Sequence, residues 1–209
     1  MINLTCFIFK RMGGFQFLHF NVGLGNMKRV YVDTEYIYEG MFHEKRMPRD
    51  TDQRQIIQIA AVLFDHQKGV ETASLDILVK PVFHDTLPDF FVELTKINHT
   101  LIKERAIPFP EALKMLLTFC AHYPIWTFNK DYEVLLQNLG FHSIGNPFKQ
   151  PFTRVKPLLK QFEIDPDAYS SGTLHKAVGI QVAGHVHDAL HDVRSMSQAI
   201  HVLENKVNS

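Results

Sequence analysis

Apolar residues along this chain change period several times, and each change predicts an element. Arg29–Glu35 (RVYVDTE) is short, β-branched and aromatic, and apolar until its acidic end, the pattern of a strand. Tyr38 to Arg54 is polar with mixed charges and predicts a long loop. Gln55–Phe64 (QIIQIAAVLF) is almost continuously apolar, as expected of a central strand covered on both faces. Turn residues Asp65–Gly69 follow, and then Leu75, Ile77 and Val79 alternate with polar partners over Ser74–Lys80, which predicts a hairpin ending at Pro81. Leu113, Leu116, Leu117 and Cys120 behind Pro108 and Pro110 predict a helix with prolines in its first turn. Pro124–Phe128 reads as a short strand, and Asp131–Leu139 as a helix stopped by Gly140. Val155, Leu158, Leu159 and Phe162 form another apolar stripe. Leu174, Ala177 and Val178 form one that Gly179 stops, and Ala189, Val193, Met196, Ile200 and Leu203 mark a last helix. Strands followed by alternating helices and strands predict an α/β fold: a mixed sheet with helices packed on its faces.

Length, charge and cysteine content narrow the class. With 209 residues the chain is of single-domain size, and a chain of that size buries about 70% of its unfolded surface without help from disulfides. Lys plus Arg equals Asp plus Glu at 22 each, which argues against gripping long duplex DNA through many phosphates but leaves short or single-stranded nucleic acid open. Cys6 and Cys120 fit neither a disulfide framework nor a metal knuckle and read as reduced thiols, Cys120 in a core. No run reaches the eighteen or so apolar residues of a membrane helix, so no membrane partner is expected and the localisation expected is cytoplasmic. Residues 1–26 carry Lys10 and Arg11 inside their apolar run, unlike a signal peptide. Met27 leads directly into the first strand. Residues 1–26 therefore read as an extension and 27–209 as one domain.

Three acidic features carry chemistry. Asp33 and Glu35 end the first strand and share a face, while Thr34 points to the other. Two adjacent carboxylates on a buried strand repel each other and call for a hard cation with oxygen ligands; taken alone, the pair is also explained as two solvated acids at a strand end. Asp131 opens a helix just past a strand end, where ligands collect in open sheets. Taken alone it is also an ordinary first-turn acid. The segment His185-Val-His187-Asp188-Ala-Leu-His191-Asp192 is the densest. Asp188 and Asp192 share a helix face, a like-charge pairing that costs about 0.2–0.5 kcal/mol. Asp188 can cap the helix, but Asp192 lies one turn in, which makes it the better ligand candidate. The histidines also allow a zinc site, although the excess of carboxylates favours magnesium or manganese.

D-x-E on the first strand, an Asp after a later strand and H-x-x-x-x-D near the C-terminus together resemble the DEDDh 3′–5′ exonucleases, the DnaQ-like members of the ribonuclease H-like fold. The resemblance covers roughly Lys28 to Leu203 and includes VYVDTEY, QIIQIAAVLF, LVKP, ELTKI and HDALHDV. LVKP and ELTKI are most similar to the branch of histone-mRNA 3′ exonucleases and their bacterial relatives. Asn129 lies two residues before Asp131, where much of the family places an Asn further ahead; Trp126–Asp131 resembles the shorter form of the histone-mRNA branch. Acidic positions of that branch are Gln55 and Gln58 here.

The resemblance implies a ribonuclease H-like sheet of about five strands with helices on both faces. It also implies phosphodiester hydrolysis with two divalent cations, Mg²⁺ or Mn²⁺, held by Asp33, Glu35, Asp131 and Asp192. His187 is the implied general base, and His185 and His191 read as a loop residue and an exposed helix residue. The expected partner is single-stranded or 3′-overhang nucleic acid, RNA somewhat favoured. Substrate contacts are assigned to Thr34, Tyr36, Arg154 and Lys156. Two other classes stay open: a catalytically silent interaction module of the same fold, and a different metal-dependent phosphohydrolase built on His187-Asp188. The second is all-helical and conflicts with the strand patterns.

Overall fold

Lys28–Ile37 forms β1 of the computed structural model, which describes residues 28–43 and 47–208; the expected extension 1–26, with Cys6, lies outside the described residues. The chain then runs through a helical turn α1 (Gly40–His43), β2 (Gln55–Asp65), β3 (Val70–Leu78), and helices α2 (Asp89–Thr95), α3 (His99–Arg105) and α4 (Phe109–Cys120). It continues through β4 (Ile125–Thr127), α5 (Asp131–Phe141), β5 (Phe152–Arg154), α6 (Val155–Leu158), two 3₁₀ segments (Leu159–Phe162 and Ser171–Val178) and the long α7 (Ala189–Asn208). The sheet order is β3-β2-β1-β4-β5. β2 and β3 run antiparallel as a meander with β1, whereas β4 and β5 lie parallel to it.

β1 is central because it is apolar on both faces before its acids. Val30 and Val32 join Ile59 and Ala61 of β2 against Leu113 and Leu116 of α4 and Val134 and Leu135 of α5. Tyr31, Ala60, Val62 and Phe64 pack on the other face, against Val193, Met196 and Ile200 of α7. Strand alternation therefore puts Asp33 and Glu35 on the α7 face. A third cluster joins Ile37, Tyr38 and Met41 to Leu87, Phe91 and Ile97. Fully burying each large aliphatic or aromatic side chain contributes about 1.5–3 kcal/mol, so these clusters hold both helical layers to the sheet.

Polar contacts fix α7 along its length. Arg194 makes two bonds to Glu71 of β3 (2.8 and 2.9 Å), and Arg29 of β1 meets Glu204 at 2.7 Å. The β2–β3 turn also closes onto this helix. Gly69 has φ +67°, and a Cβ there would lie 2.6 Å from Nε2 of His201.

Several expected boundaries move. The stretch Tyr38–Arg54 is not wholly loop, because Tyr38 and Met41 are buried and draw α1 into the third cluster. β3 starts at Val70 rather than Ser74, and α5 continues through Gly140 to Phe141. The apolar stripe Val155–Phe162 divides into α6 and a 3₁₀ turn. Cys120 is buried as expected, which pushes its thiol up to about 12.

Candidate active site

The acids meet where β1 ends. One carboxylate oxygen each from Asp33, Glu35 and Asp192 lie within 4.8 Å of one another. Asp33 and Asp192 are only 5% and 3% exposed, and Glu35 stands partly open at the rim. Burial, and then the charges of Asp131, Asp192 and Glu35, raise the Asp33 carboxyl well above its ordinary range. Glu35 is raised well above its range too, by desolvation and then by Asp192, Asp131 and Asp188. Burial lifts Asp192 to about 6 against the lowering effects of the Ser171 hydroxyl, His191 and the His187 N–H. No Lys or Arg among the described residues acts to lower the Asp33 or Glu35 carboxyl. Several clustered carboxylates that offer oxygen donors only, with no Lys or Arg among the described residues lowering Asp33 or Glu35, fit a hard divalent cation.

Asp131 begins α5 at the neighbouring strand end, where its position in the first turn favours negative charge. It is buried near Asp33 and Glu35 but is not one of the three mutually close donors. Instead its Oδ1 accepts the N–H and hydroxyl of Thr34 at 3.2 and 3.0 Å. Those bonds partly offset the rise that burial gives its carboxyl.

Asp192 is held from two sides. Ser171 donates its hydroxyl to Oδ2 at 3.0 Å, and the His187 N–H donates to Oδ1 at 3.2 Å. The second bond depends on a left-handed His187 backbone, φ +69°, a conformation that costs a non-glycine residue on the order of 1–3 kcal/mol. The His187 imidazole is half-buried and lies outside the three-carboxylate cluster; burial first, then His185, lowers its pKa below 6.5.

The other candidates differ in placement. Tyr36 packs partly buried between two core clusters, with the Arg54 guanidinium 5.8 Å from its ring centre, and burial raises its hydroxyl to about 12. Arg154 pairs with Glu133, and Lys156 with Asp167 at 2.8 Å. Thr34, Arg154 and Lys156 are thus each bound to an acid of the protein. His185 is an exposed loop residue, as its sequence context implies, and its Nε2 lies 3.1 Å from the Thr95 carbonyl. His191 is not exposed. At 3% exposure it places Nδ1 and Nε2 each 3.0 Å from the carbonyls of Ala183 and Gly172. The Leu174–Val178 stripe belongs to a 3₁₀ segment, Ser171–Val178, which Gly179 ends as expected and which covers that face of α7.

Sequence reasoning also passed over Ser171 and Gly172. A Cβ on Gly172 would sit 2.3 Å from Oδ1 of Asp192, so only glycine lets this backbone approach the carboxylate. No single-sequence signal marks that contact.

A central strand ending in acids, an antiparallel meander on one side and parallel strands on the other define a ribonuclease H-like nuclease fold, with the acids of β1, α5 and α7 at the ends of its strands. Residues 43–199 match the RNase T exonuclease family, and the chain belongs to that family. β1 with Asp33 and Glu35 lies just before the matched span. Solved structures share the fold. The nuclease domain of 3′hExo, a DEDDh family member, bound to rAMP has a TM-score of 0.75 and 15% identity, over 88% of this chain and 94% of that one. A 3′-exonuclease in 3′-end-specific recognition of the histone mRNA stem-loop has a TM-score of 0.75 and 16% identity, over 87% and 83%. Exonuclease X in complex with 5′ overhanging duplex DNA has a TM-score of 0.58 and 14% identity, over 86% and 93%. No curated protein matches the sequence significantly. Among the described residues no helix is long and apolar enough to cross a membrane.

Proposed function

We propose that the protein is a 3′–5′ exonuclease that shortens single-stranded or 3′-overhang nucleic acid, RNA in preference to DNA, by phosphodiester hydrolysis. The observation that carries this reading is the convergence of Asp33, Glu35 and Asp192, with no Lys or Arg among the described residues lowering the Asp33 or Glu35 carboxyl. Asp33, Glu35, Asp131 and Asp192 would hold two divalent cations, Mg²⁺ or Mn²⁺, which would supply Lewis acidity for the hydrolysis.

The chain's own residues do the rest. Ser171 and the His187 N–H fix the direction of the Asp192 carboxylate, and Thr34 holds Asp131 beside the strand end. His187 is the general base. Its lowered pKa keeps the imidazole neutral near pH 7, ready to take the proton of the attacking water. The preference for RNA is supported by two neighbours of the same fold, one bound to rAMP and one recognising histone mRNA. The Exonuclease X complex with duplex DNA makes a DNA comparison the informative control.

The test uses 5′-labelled RNA and DNA oligonucleotides of one sequence, with Mn²⁺ and with chelator. A metal-dependent ladder that shortens from the 3′ end, faster on RNA, is expected. No cleavage of either strand would overturn the reading in favour of a silent module. Release of phosphate from small phosphoesters alone would indicate a phosphohydrolase.

A further inference from the structure

Gln58 lies directly across the β1–β2 ladder from Glu35, on the face that α7 covers. Its side chain is buried, at 4% exposure, and both ends of the amide are bonded. Nε2 donates to Oδ1 of Asp76 on β3 at 2.9 Å and to Oδ1 of Asp188 at 3.0 Å. Oε1 accepts the N–H of Ala189, the first residue of α7, at 3.1 Å. Asp188 in turn caps the helix. Its Oδ1 also accepts the Leu190 N–H at 3.3 Å, and its carbonyl accepts the Asp192 N–H at 2.9 Å.

We propose that Gln58 is a positioning residue that sets the first turn of α7 so that Asp192 and His187 face Asp33 and Glu35. The proposal rests on the functional reading above. The chemistry demands an amide rather than another side chain of this length. One group must donate to two carboxylates and also accept a helix N–H, and only an amide offers two donors and an acceptor in one plane. A leucine would leave Asp188 and the Ala189 N–H without this partner. A glutamate would lose both donors and place a third carboxylate beside Asp76 and Asp188. His187 sits one peptide before Asp188 in its left-handed conformation, so a shift at the cap moves its N–H away from Asp192.

The test compares wild type with Gln58→Leu, Gln58→Glu, and Gln58→Glu combined with Asp76→Asn and Asp188→Asn. In the combined variant the two asparagine amides donate to the carboxylate at position 58, which still accepts the Ala189 N–H; the weaker 3.3 Å contact of the Leu190 N–H with the residue 188 side chain is given up. Mn²⁺ binding by calorimetry, and kcat and KM on a labelled oligonucleotide, are measured well below the melting range, and Tm is measured separately in chelator. Loss of groups that orient metal ligands typically costs about 10–100-fold in affinity or activity. Both single variants are therefore expected to bind Mn²⁺ about 10–100-fold more weakly and to lose kcat with KM little changed. The combined variant should recover much of both. Single variants with wild-type Mn²⁺ affinity and kcat but a lower Tm would overturn the proposal, because Gln58 would then only hold the fold. A wild-type protein that neither binds Mn²⁺ nor cleaves would overturn the functional reading and this proposal with it.

Discussion

At the scale of single residues the site depends on two backbone accommodations next to Asp192. Gly172→Ala puts a methyl group 2.3 Å from the Asp192 carboxylate oxygen. The carboxylate is the softer partner and must rotate away, which weakens metal binding and turnover by about tenfold or more. Circular dichroism and Tm should stay near wild type while Mn²⁺ titration shows the loss. On the proposed mechanism His187→Ala removes a base but no ligand, so Mn²⁺ affinity should survive while turnover falls by about 10²–10⁴-fold. Wild-type rate should rise with pH through a pKa below 6.5, since only neutral imidazole accepts a proton, and this dependence should flatten in the variant. Restoration of the variant by excess Mn²⁺ would show that His187 acts instead as a ligand.

At the scale of elements, α7 works as a carrier clamped along its length, and its clamps are testable apart from catalysis. Glu204 accepts from Arg29, whose guanidinium also lies 4.4 Å over the Trp126 ring. Glu204→Ala leaves that largely buried cation without its carboxylate, a loss of about 3 kcal/mol that thermal or urea unfolding will register. The same elements show how far a sequence can be read. QIIQIAAVLF is legible as a central strand because burial on both faces removes the polar alternation, and α4 and α7 are legible because each is long enough to repeat its stripe. α2 and α3 have seven residues each, too few for a period to stand out, and β5 is a strand only by pairing with β4. At the site, Asp33, Glu35 and Asp192 are legible from their types and order. Ser171, Gly172 and Gln58 are not, because their roles come from contacts between segments distant in sequence.

For the whole molecule, the clustered acids give stability an unusual dependence on pH. A carboxyl raised in the folded state binds its proton more tightly there than in the unfolded chain, so folding is favoured by low pH and loses free energy as pH rises. For Asp192 the contribution is complete below about 3.8 and is lost through about 6; Asp33 and Glu35, raised well above their ordinary range, extend the loss further upward. Glu71 and Glu204, lowered by Arg194 and by His66 and Arg29, act in the opposite direction below their ordinary range. In chelator, the Tm of Asp33→Asn should therefore exceed that of wild type by a margin that widens from pH 4 to pH 7. Mn²⁺ should close it by binding only the folded wild type. A margin independent of pH would show that Asp33 is not held in its protonated form.

Because Asp192 travels on α7 while its companions sit on β1, the sheet can form before the site does. β1, β2 and β3 are sequential neighbours joined as a meander, with a tight turn between β2 and β3, whereas α7 must return across the sheet after most of the chain has been laid down. The order of assembly thus separates scaffold from chemistry. A chain with its strands paired and its last helix undocked has secondary structure but no assembled site, and the helix that completes the core is also the one that completes the carboxylate cluster. In refolding experiments, strand signals should recover before Mn²⁺-dependent cleavage, with the interval set by the docking of α7.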